Sequence, residues 1–183
     1  MADIIPYSIE NTDEIAARLK RGEVGIFPCD TIYGLCGIAD ERIAERLYEI
    51  KRRPLSKSFI TLMDKSSLRG NGLIVPDDIF SRWPAPFTAI LQHENGTTVA
   101  VRCPSDPYLL RILPVSGPIY STSVNFSGEK SLLTFDDILP VFMNSVDFIV
   151  NDPTVKGGMA STIIDATSNP YRIIREGAYK FTF

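Results

Sequence analysis

The order of strand and helix patterns along the chain is the feature that most limits its fold. An apolar run over residues 23–28 lies between two amphipathic helix patterns, over residues 11–22 and 40–53, which we expect Asn11 and Asp40 to cap. The second helix pattern ends at a proline, which disfavours helical backbone in the residue before it. Later in the chain, Asn95-Gly96 separates two short apolar runs, which is a strong signal for a β-hairpin. Helices therefore alternate with strands early, whereas strands follow one another in the middle of the chain.

The remaining patterns complete the predicted secondary structure. We expect further helices to begin near residues 76, 106 and 136, where Pro or Asp precedes apolar residues at helical spacing. We expect further strands at residues 59–63, 87–91, 98–102, 118–121, 147–150, 161–165 and 172–175. Together these patterns predict an α/β fold in a single domain, residues 1–183, with a twisted mixed sheet flanked by helices and no regular doubly wound sheet.

Composition and charge argue against several classes of protein. Hydrophobic residues make up 44% of the 183 residues, which is an ordinary value for a globular protein with a core. The 19 basic and 22 acidic residues give a net charge of −3, which argues against strong general binding to nucleic acids but leaves room for a local basic patch. No apolar stretch reaches transmembrane length and no leader pattern opens the chain, so we expect no membrane partner and a cytoplasmic location.

The cysteines and the lone histidine do not form a recognisable metal site. Cys29, Cys36 and Cys103 are widely spaced without a Cys-x-x-Cys pair, and His93 has no plausible metal ligands near it in the sequence. We therefore predict neither a disulfide framework nor a protein-held metal. The glycine-rich signatures of P-loop NTPases and of dinucleotide-binding folds are also absent from the sequence.

Cations and hydroxyl groups instead follow the predicted strands and helices. Thr31 comes after the strand over residues 23–28, and Lys51, Arg53 and Lys57 surround the end of the second helix. Cations at a helix end also have an ordinary explanation, since they favourably oppose the helix dipole. A loop with several cations, however, can bind phosphates, because arginine offers a planar fork of donors and lysine a compact charge.

Later strand ends carry similar groups. Ser123 and Asn125 alternate in an extended segment, so that both side chains can point the same way, although each could equally serve local turn structure. Arg102, Ser161 and Arg175 each lie at the end or beginning of a predicted strand. Each position is weak evidence alone, and their shared location at strand ends favours a site for an anionic small molecule.

These segments, in this order, resemble the YrdC family of threonylcarbamoyl-AMP synthases over about residues 15–177. The resemblance rests on an ordered set of short motifs: Pro28-Cys29-Asp30-Thr31-Ile32-Tyr33-Gly34-Leu35, Lys51-x-Arg53, Arg102-Cys103-Pro104, Ser123-x-Asn125, Ser161-Thr162 and Arg175-Glu176-Gly177. It implies a YrdC-like fold, related to that of DHBP synthase. It also implies a nucleotidyltransferase that combines L-threonine, bicarbonate and ATP into threonylcarbamoyl-adenylate and pyrophosphate.

The resemblance also implies roles for individual residues and partners. ATP, with magnesium accompanying it, would be held by Arg53, Lys57, Thr98, Asn125 and Arg175, with Lys51 beside the phosphates. Threonine would be held by Thr31, Arg102, Ser123 and Ser161, and catalysis would depend on Lys51, Arg53, Ser123 and Asn125. The product would pass to threonylcarbamoyl-transfer proteins that modify tRNA.

The chain departs from the family pattern at a few positions that leave alternatives open. Cys29 replaces a threonine of the opening motif, and Leu62 replaces a histidine that lies near the threonine in many members. We expect Leu62 beside Thr31, Arg102 and Ser161, where it would alter the amino-acid pocket. Leu62 suggests one alternative, a YciO-like paralogue that adenylates another acid. The resemblance leaves a second alternative open, a non-catalytic module that binds tRNA, other double-stranded RNA or the ribosome.

Overall fold

The fold is described from a computed structural model, for residues 1–55, 57–154 and 158–182. Five α-helices lie in this part of the chain: α1 (Thr12–Lys20), α2 (Glu41–Lys51), α3 (Asp77–Arg82), α4 (Pro107–Ser116) and α5 (Phe135–Phe142). The strands are β1 (Asp3–Pro6), β2 (Gly25–Pro28), β3 (Tyr33–Ile38), β4 (Ile60–Leu62), β5 (Leu73–Ile74), β6 (Phe87–His93), β7 (Thr98–Arg102), β8 (Ile119–Ser123), β9 (Phe148–Asn151), β10 (Thr162–Asp165) and β11 (Arg172–Arg175).

All strands of the described chain join one mixed sheet. Its order is β1-β9-β2-β3-β8-β4-β7-β6-β10-β11, and β5 pairs with β6 beside this path. Strand β9 is parallel to both of its neighbours, whereas β3 and β8 are antiparallel. Strand β4 is parallel to β7 and antiparallel to β8, which brings the ends of distant segments together. The predicted mixed α/β sheet flanked by helices is confirmed.

Local signals placed most elements correctly. Strands β6 and β7 form the antiparallel hairpin around Asn95-Gly96, and Gly96 takes the positive φ of 84° that such turns favour. Asp40 caps α2 as expected, because its carboxylate accepts a hydrogen bond from the Arg42 backbone at 3.0 Å. Asn11 occupies the cap position of α1, but its side chain makes no capping bond: it donates to the Pro6 carbonyl instead, and a short 3-10 turn precedes the helix.

Strand β3 was missed because its glycines resemble turn residues. Gly34 and Gly37 interrupt its apolar pattern, and glycine normally weakens a strand. Both glycines are required by close approach, since a Cβ on Gly37 would lie 2.4 Å from the Ile43 side chain and one on Gly34 would lie 2.7 Å from the Cys29 sulfur. This strand occupies the middle of the sheet, so the omission matters for the site.

The core lies on both faces of the sheet. Helices α1 and α4 pack together on one face, over a cluster that includes Phe27, Cys36 and Leu62. Helices α2 and α5 cover the other face, over a cluster that includes Ile26 and Leu35. Neighbouring strand residues thus enter opposite clusters, as the period of two in a strand requires. No helix in the described ranges is long and apolar enough to cross a membrane.

An ion pair joins α2 to the start of β9. The Arg46 guanidinium donates to both Asp147 oxygens, at 2.7 and 3.0 Å, and Asp147 also accepts from the Val24 backbone at 2.7 Å. Although burial opposes it, hydrogen bonding from Arg46 and Val24 lowers the pKa of Asp147. One turn earlier on α2, Arg42 pairs only with Asp40, and its side chain is 90% exposed.

Replacing Arg46 by Ala should therefore destabilise the fold more than replacing Arg42. We expect Arg46→Ala to lower the free energy of unfolding by about 1–2 kcal/mol, and Arg42→Ala by less than about 0.5 kcal/mol. Because the folded-state pKa of Asp147 is depressed, its contribution is present above the unfolded pKa and lost as pH falls through the folded value. Urea unfolding at neutral and acidic pH should show the Arg46→Ala deficit narrowing in acid; equal deficits for both variants would contradict this role.

Candidate active site

A cavity of about 350 Å³ opens on the sheet face that carries the α1–α4 cluster. Its size is at the small end of the range for ligand pockets, roughly 300–1,000 Å³. Three arginines and a set of hydroxyl groups line it, and the described lining includes no aspartate or glutamate. The polar lining side chains are Thr31, Arg53, Ser58, Arg102, Ser121, Thr122, Ser123, Ser161 and Arg175, together with the Cys29 thiol.

Arg53 reaches the cavity from the loop after α2. Its guanidinium donates to the Thr122 hydroxyl at 3.2 Å and to the Ser58 carbonyl at 2.9 Å, and it lies 5.2 Å from the centre of the Phe59 ring. Burial lowers its pKa, and its buried Nε has no hydrogen-bond partner among the described residues. The side chain is held in place while one donor stays free, which suits a residue that binds an anionic ligand.

Arg102 and Arg175 carry the positive charge at the other side of the cavity. Arg102 ends β7, is only 4% exposed, and has a buried Nε that no described residue accepts from. Arg175 ends β11 and donates twice to the Ser161 carbonyl, at 3.0 and 2.7 Å. Burial and the nearby Arg102 charge lower the pKa of Arg175. Two close cations in a lining without a described carboxylate favour an anionic ligand at this point.

Thr31 is positioned through its neighbour Asp30. The Asp30 carboxylate accepts hydrogen bonds from the backbone of Ser105 at 3.0 Å and of Asp106 at 3.1 Å. Burial raises the pKa of Asp30, and the charge of Arg102 opposes that shift. These two bonds tie the loop that carries Thr31 to the segment after Arg102, so both side chains face the same cavity.

Lys51 does not line the cavity with Arg53 and Arg175 as the sequence predicted. Its side chain is 2% exposed, and its ammonium group donates to the Ser123 carbonyl at 2.5 Å, the Asn125 carbonyl at 3.0 Å and the Asn125 Oδ1 at 2.9 Å. The three protons of the ammonium group thus have protein acceptors. Burial and the charge of Arg53 lower the pKa of Lys51 to about 8. Lys51 therefore fixes the loop rather than contacting the cavity directly.

Asn125 is also committed to the protein itself. Its Oδ1 accepts from the Ser123 hydroxyl at 2.6 Å as well as from Lys51, and its amide nitrogen donates to two carbonyls at 2.8 and 2.9 Å. An asparagine side chain has two donors and two acceptor sites, so this network uses all of them. The predicted nucleotide contact by Asn125 would require these bonds to break, whereas Ser123 lines the cavity as predicted.

Three other predicted positions lie outside the cavity lining. The exposed Thr98 borders a second cavity of about 210 Å³, which shares Ser58, Phe59 and Ala100 with the first. Lys57 is exposed, and its carbonyl accepts from the Tyr48 hydroxyl at 3.1 Å. Leu62 pairs with Arg102 in the sheet register but is fully buried in the core. Leu62 is thus beside Arg102 as expected, but its side chain does not line the cavity, whereas Ile60 of the same strand does.

The thiol and hydroxyl groups around Gly34 were not predicted as part of the site. Cys36 donates to the Ser121 hydroxyl at 3.3 Å, and Cys29 lies 3.9 Å from the same oxygen. Cys29 and Ser121 line the cavity, as does Tyr33, whose hydroxyl hydrogen-bonds to the Val150 carbonyl at 3.1 Å. The sequence contained one signal for this group: Gly34 and Cys36 alternate along β3, and they pair with the hydroxyl residues Ser123 and Ser121 of β8. This signal could be used only if β3 had been recognised as a strand.

The described residues do not fit a metal held by the protein. They include no group of three His, Cys, Asp or Glu side chains arranged for metal binding. The carboxylate-free lining also lacks the oxygen ligands that magnesium requires. Any magnesium would therefore have to be bound chiefly through the phosphates of a nucleotide.

The saturated network of Asn125 leads to a stability prediction. Asn125→Ala removes four hydrogen bonds and leaves Lys51 short of an acceptor, so we expect the free energy of unfolding to fall by about 2 kcal/mol. Asn71→Ala is the matched control, since its two side-chain bonds are exposed, and it should cost less than about 1 kcal/mol. Unfolding by urea measures both. Unchanged stability of Asn125→Ala with lost activity would instead favour direct contact with reactants.

Sequence comparison identifies relatives over nearly the whole chain. The family model described as telomere recombination, which covers Sua5, YciO and YrdC proteins, matches residues 17–177. A threonylcarbamoyl-AMP synthase of Pseudoalteromonas translucida is 31% identical over 169 residues, which cover 81% of this chain and 89% of that protein. The threonylcarbamoyl-AMP synthase of Pyrococcus abyssi is 29% identical over 88% of this chain and 52% of its own length.

Solved structures show the same relationship. A variant of Pyrococcus abyssi Sua5 superposes with a TM-score of 0.87 at 27% identity, over 97% of this chain and 57% of that one. Sua5 of the same organism in complex with L-threonine gives a TM-score of 0.84 at 26% identity, with the same coverage. Escherichia coli YciO shares the fold over 98% of both chains, with a TM-score of 0.85 at 23% identity. The chain belongs to the Sua5/YciO/YrdC family.

Proposed function

We propose that this protein is a threonylcarbamoyl-AMP synthase, which joins L-threonine, bicarbonate and ATP into threonylcarbamoyl-adenylate and releases pyrophosphate. The observation that carries the proposal is the cavity with three arginines and no described carboxylate in its lining. Each reactant carries at least one anionic group, so a site for them must supply positive charge that the lining does not itself neutralise. The names of the relatives support the same activity.

Arg102 is the best candidate to hold the threonine carboxylate. Its guanidinium is buried, its Nε has no acceptor among the described residues, and it presents a fork that matches two carboxylate oxygens. Thr31 and Ser161 lie in the same lining and offer hydroxyl groups to the amino-acid end of the substrate. The Sua5 structure in complex with L-threonine supports an amino-acid site in this fold.

Arg53 and Arg175 are our candidates for binding the nucleotide. In the adenylation step a carbamate oxygen attacks the α-phosphorus, and the bond to the departing pyrophosphate breaks. Negative charge then spreads over phosphate oxygens, which fixed guanidinium donors stabilise most strongly in a water-poor site. Lys51 contributes indirectly, because it fixes the loop that presents Ser123 to the cavity. Holding three reactants in one orientation is itself a large part of such catalysis.

The product has a chemically defined fate. Threonylcarbamoyl-adenylate is an activated mixed anhydride, and we propose that a threonylcarbamoyl-transfer protein uses it to modify tRNA. No described feature favours the RNA-binding alternative over catalysis.

The proposed activity can be tested directly by pyrophosphate release. We expect release from ATP and bicarbonate to depend on L-threonine and on no other single amino acid to a comparable extent. Arg102→Lys keeps the charge but not the fork, so it should raise the KM for threonine about 10- to 100-fold with ATP binding retained. Arg111→Lys, at an exposed position of α4, is the matched control and should leave KM unchanged. Intact ATP binding without threonine dependence would reject threonine and favour another acid.

Nucleotide binding can be tested by replacing the neighbouring residues Arg53 and Arg52 in turn. Arg53→Ala should weaken ATP binding by about 1.5–3 kcal/mol, the scale of a hydrogen bond to a charged group. Arg52→Ala is the control, because the Arg52 guanidinium packs on Phe126 at 4.3 Å and does not line the cavity. Calorimetric titration with ATP measures both. Equal affinities for Arg53→Ala and the unmodified protein would remove Arg53 from the nucleotide site.

A further inference from the structure

Two thiols converge at the wall of the cavity. Cys29 lies just after β2 and Cys36 lies in β3, yet a Cβ on Gly34 would be 2.7 Å from one sulfur and 2.9 Å from the other. The Ser121 hydroxyl completes the group, at 3.9 Å from the Cys29 sulfur and 3.3 Å from the Cys36 sulfur. The absence of a side chain at Gly34 leaves the space that both sulfurs occupy.

Only one of the three cysteines faces the cavity. All three thiols are buried, and Cys29 alone of them is among the residues that line the cavity. The neighbouring Cys36 thiol and the charge of Arg102 lower the pKa of Cys29, although burial and the charge of Asp30 oppose this shift. Burial raises the pKa of Cys36 and raises that of Cys103 to about 12. Since the thiolate is the nucleophile, Cys29 should be the most reactive of the three.

The same cavity contains an arginine that lacks an acceptor. Arg102 is 4% exposed, and its Nε is buried with no hydrogen-bond partner among the described residues. A second cation, Arg175, is close enough for the charge of Arg102 to lower its pKa. An anion formed on the Cys29 sulfur would therefore arise inside a cavity whose charged lining groups are all positive.

We propose that Cys29 is a site of modification by hydroperoxides, and that its sulfinate blocks the cavity by pairing with the arginine charge. In the first step the Cys29 thiolate attacks a peroxide oxygen and the O–O bond breaks. Sulfur is oxidised to the sulfenic acid, while the peroxide is reduced to water or an alcohol. A second peroxide adds another oxygen in the same way, and the sulfinic acid loses its proton.

A disulfide between Cys29 and Cys36 is not the expected product. In the hairpin register Cys36 pairs with Gly25, and Cys29 lies four residues beyond Gly25 along the chain. Because a strand advances about 3.3 Å per residue, the two α-carbons lie much further apart than the roughly 4.4–6.8 Å of a disulfide. The sulfurs meet only through their side chains, so Cys36 can donate a hydrogen bond to the oxidised group but not bridge to it without backbone movement.

The effect on activity rests on the proposed function, because it assumes that a substrate carboxylate binds Arg102. A sulfinate has two oxygens and one negative charge, as a carboxylate does, and would occupy the same donors. Losing one hydrogen bond between charged groups weakens binding by about 10- to 100-fold. Oxidised protein should therefore show at least tenfold lower threonine-dependent pyrophosphate release at low threonine concentration.

Peptide mass spectrometry after exposure to hydrogen peroxide tests the modification itself. We expect the Cys29 peptide to gain two oxygen atoms while the Cys36 and Cys103 side chains stay unmodified under the same conditions. Cys29→Ser should lose the sensitivity of its activity, when each variant is compared with its own untreated rate, and Cys103→Ser should behave like the unmodified protein. Oxidation at Cys36 or Cys103 before Cys29, or equal inactivation of Cys29→Ser, would overturn the proposal.

The same experiment separates this proposal from the proposed function. Mass spectrometry needs no activity, so Cys29 oxidation in a protein without threonine-dependent turnover would leave the modification standing and reject the synthase. Recovery of activity with dithiothreitol would indicate a disulfide or a sulfenic acid and would overturn the sulfinate assignment, since a sulfinate resists thiols.

Discussion

The hydrogen bonds of Lys51 are the interaction on which the site depends. Its ammonium group holds two carbonyls and an amide oxygen of the Ser123–Asn125 segment, and its own carbonyl accepts from the Ser127 backbone at 2.9 Å. The helix stops directly afterwards, because Arg52 takes a left-handed conformation with φ of 50°. This change of direction lets the Arg53 side chain line the cavity, while the Lys51 side chain stays buried. The end of α2 thus fixes the segment that follows β8 and also orients Arg53 toward the cavity.

The cavity concentrates positive charge at a cost to the fold. Desolvation lowers the pKa of Arg53 and of Arg175, and Arg102 has a buried nitrogen that no described residue satisfies. A buried unpaired donor costs about 1–3 kcal/mol, so these groups do not stabilise the protein without a ligand. An anionic ligand would supply the missing acceptors and should raise stability by mass action. The unfavourable electrostatics are therefore best explained by binding, not by folding.

Local signals were sufficient for most helices and strands, and long-range contacts decided the rest. The Asn95-Gly96 turn and the Asp40 cap act through neighbouring residues, so the sequence revealed them. Strand β3 was hidden, because the reason for Gly34 lies in the sulfurs of Cys29 and Cys36 and not in a turn. The sequence also could not show where the Lys51 side chain points, since this depends on where the helix ends and on a loop more than seventy residues later. Arg53, Arg102 and Arg175 were each named from the sequence, with Arg102 assigned to a different substrate from the other two, while their positions in one cavity required the sheet order.

Leu62 and Cys29 both depart from the family pattern, and both bear on the surroundings of Arg102. Leu62 pairs with Arg102 across parallel strands, and it packs in the core together with Cys29. An apolar side chain there removes a polar partner from the surroundings of Arg102 and keeps water away from it. Interactions between charges strengthen as the local dielectric falls, so a carboxylate that reaches Arg102 would be held more strongly once desolvated. Removing the carboxylate and the Arg102 guanidinium from water also costs more, so the pair is favourable only if the guanidinium donates to both carboxylate oxygens. We therefore expect Leu62 to affect the proposed amino-acid site through the environment of Arg102 and not through contact with the substrate.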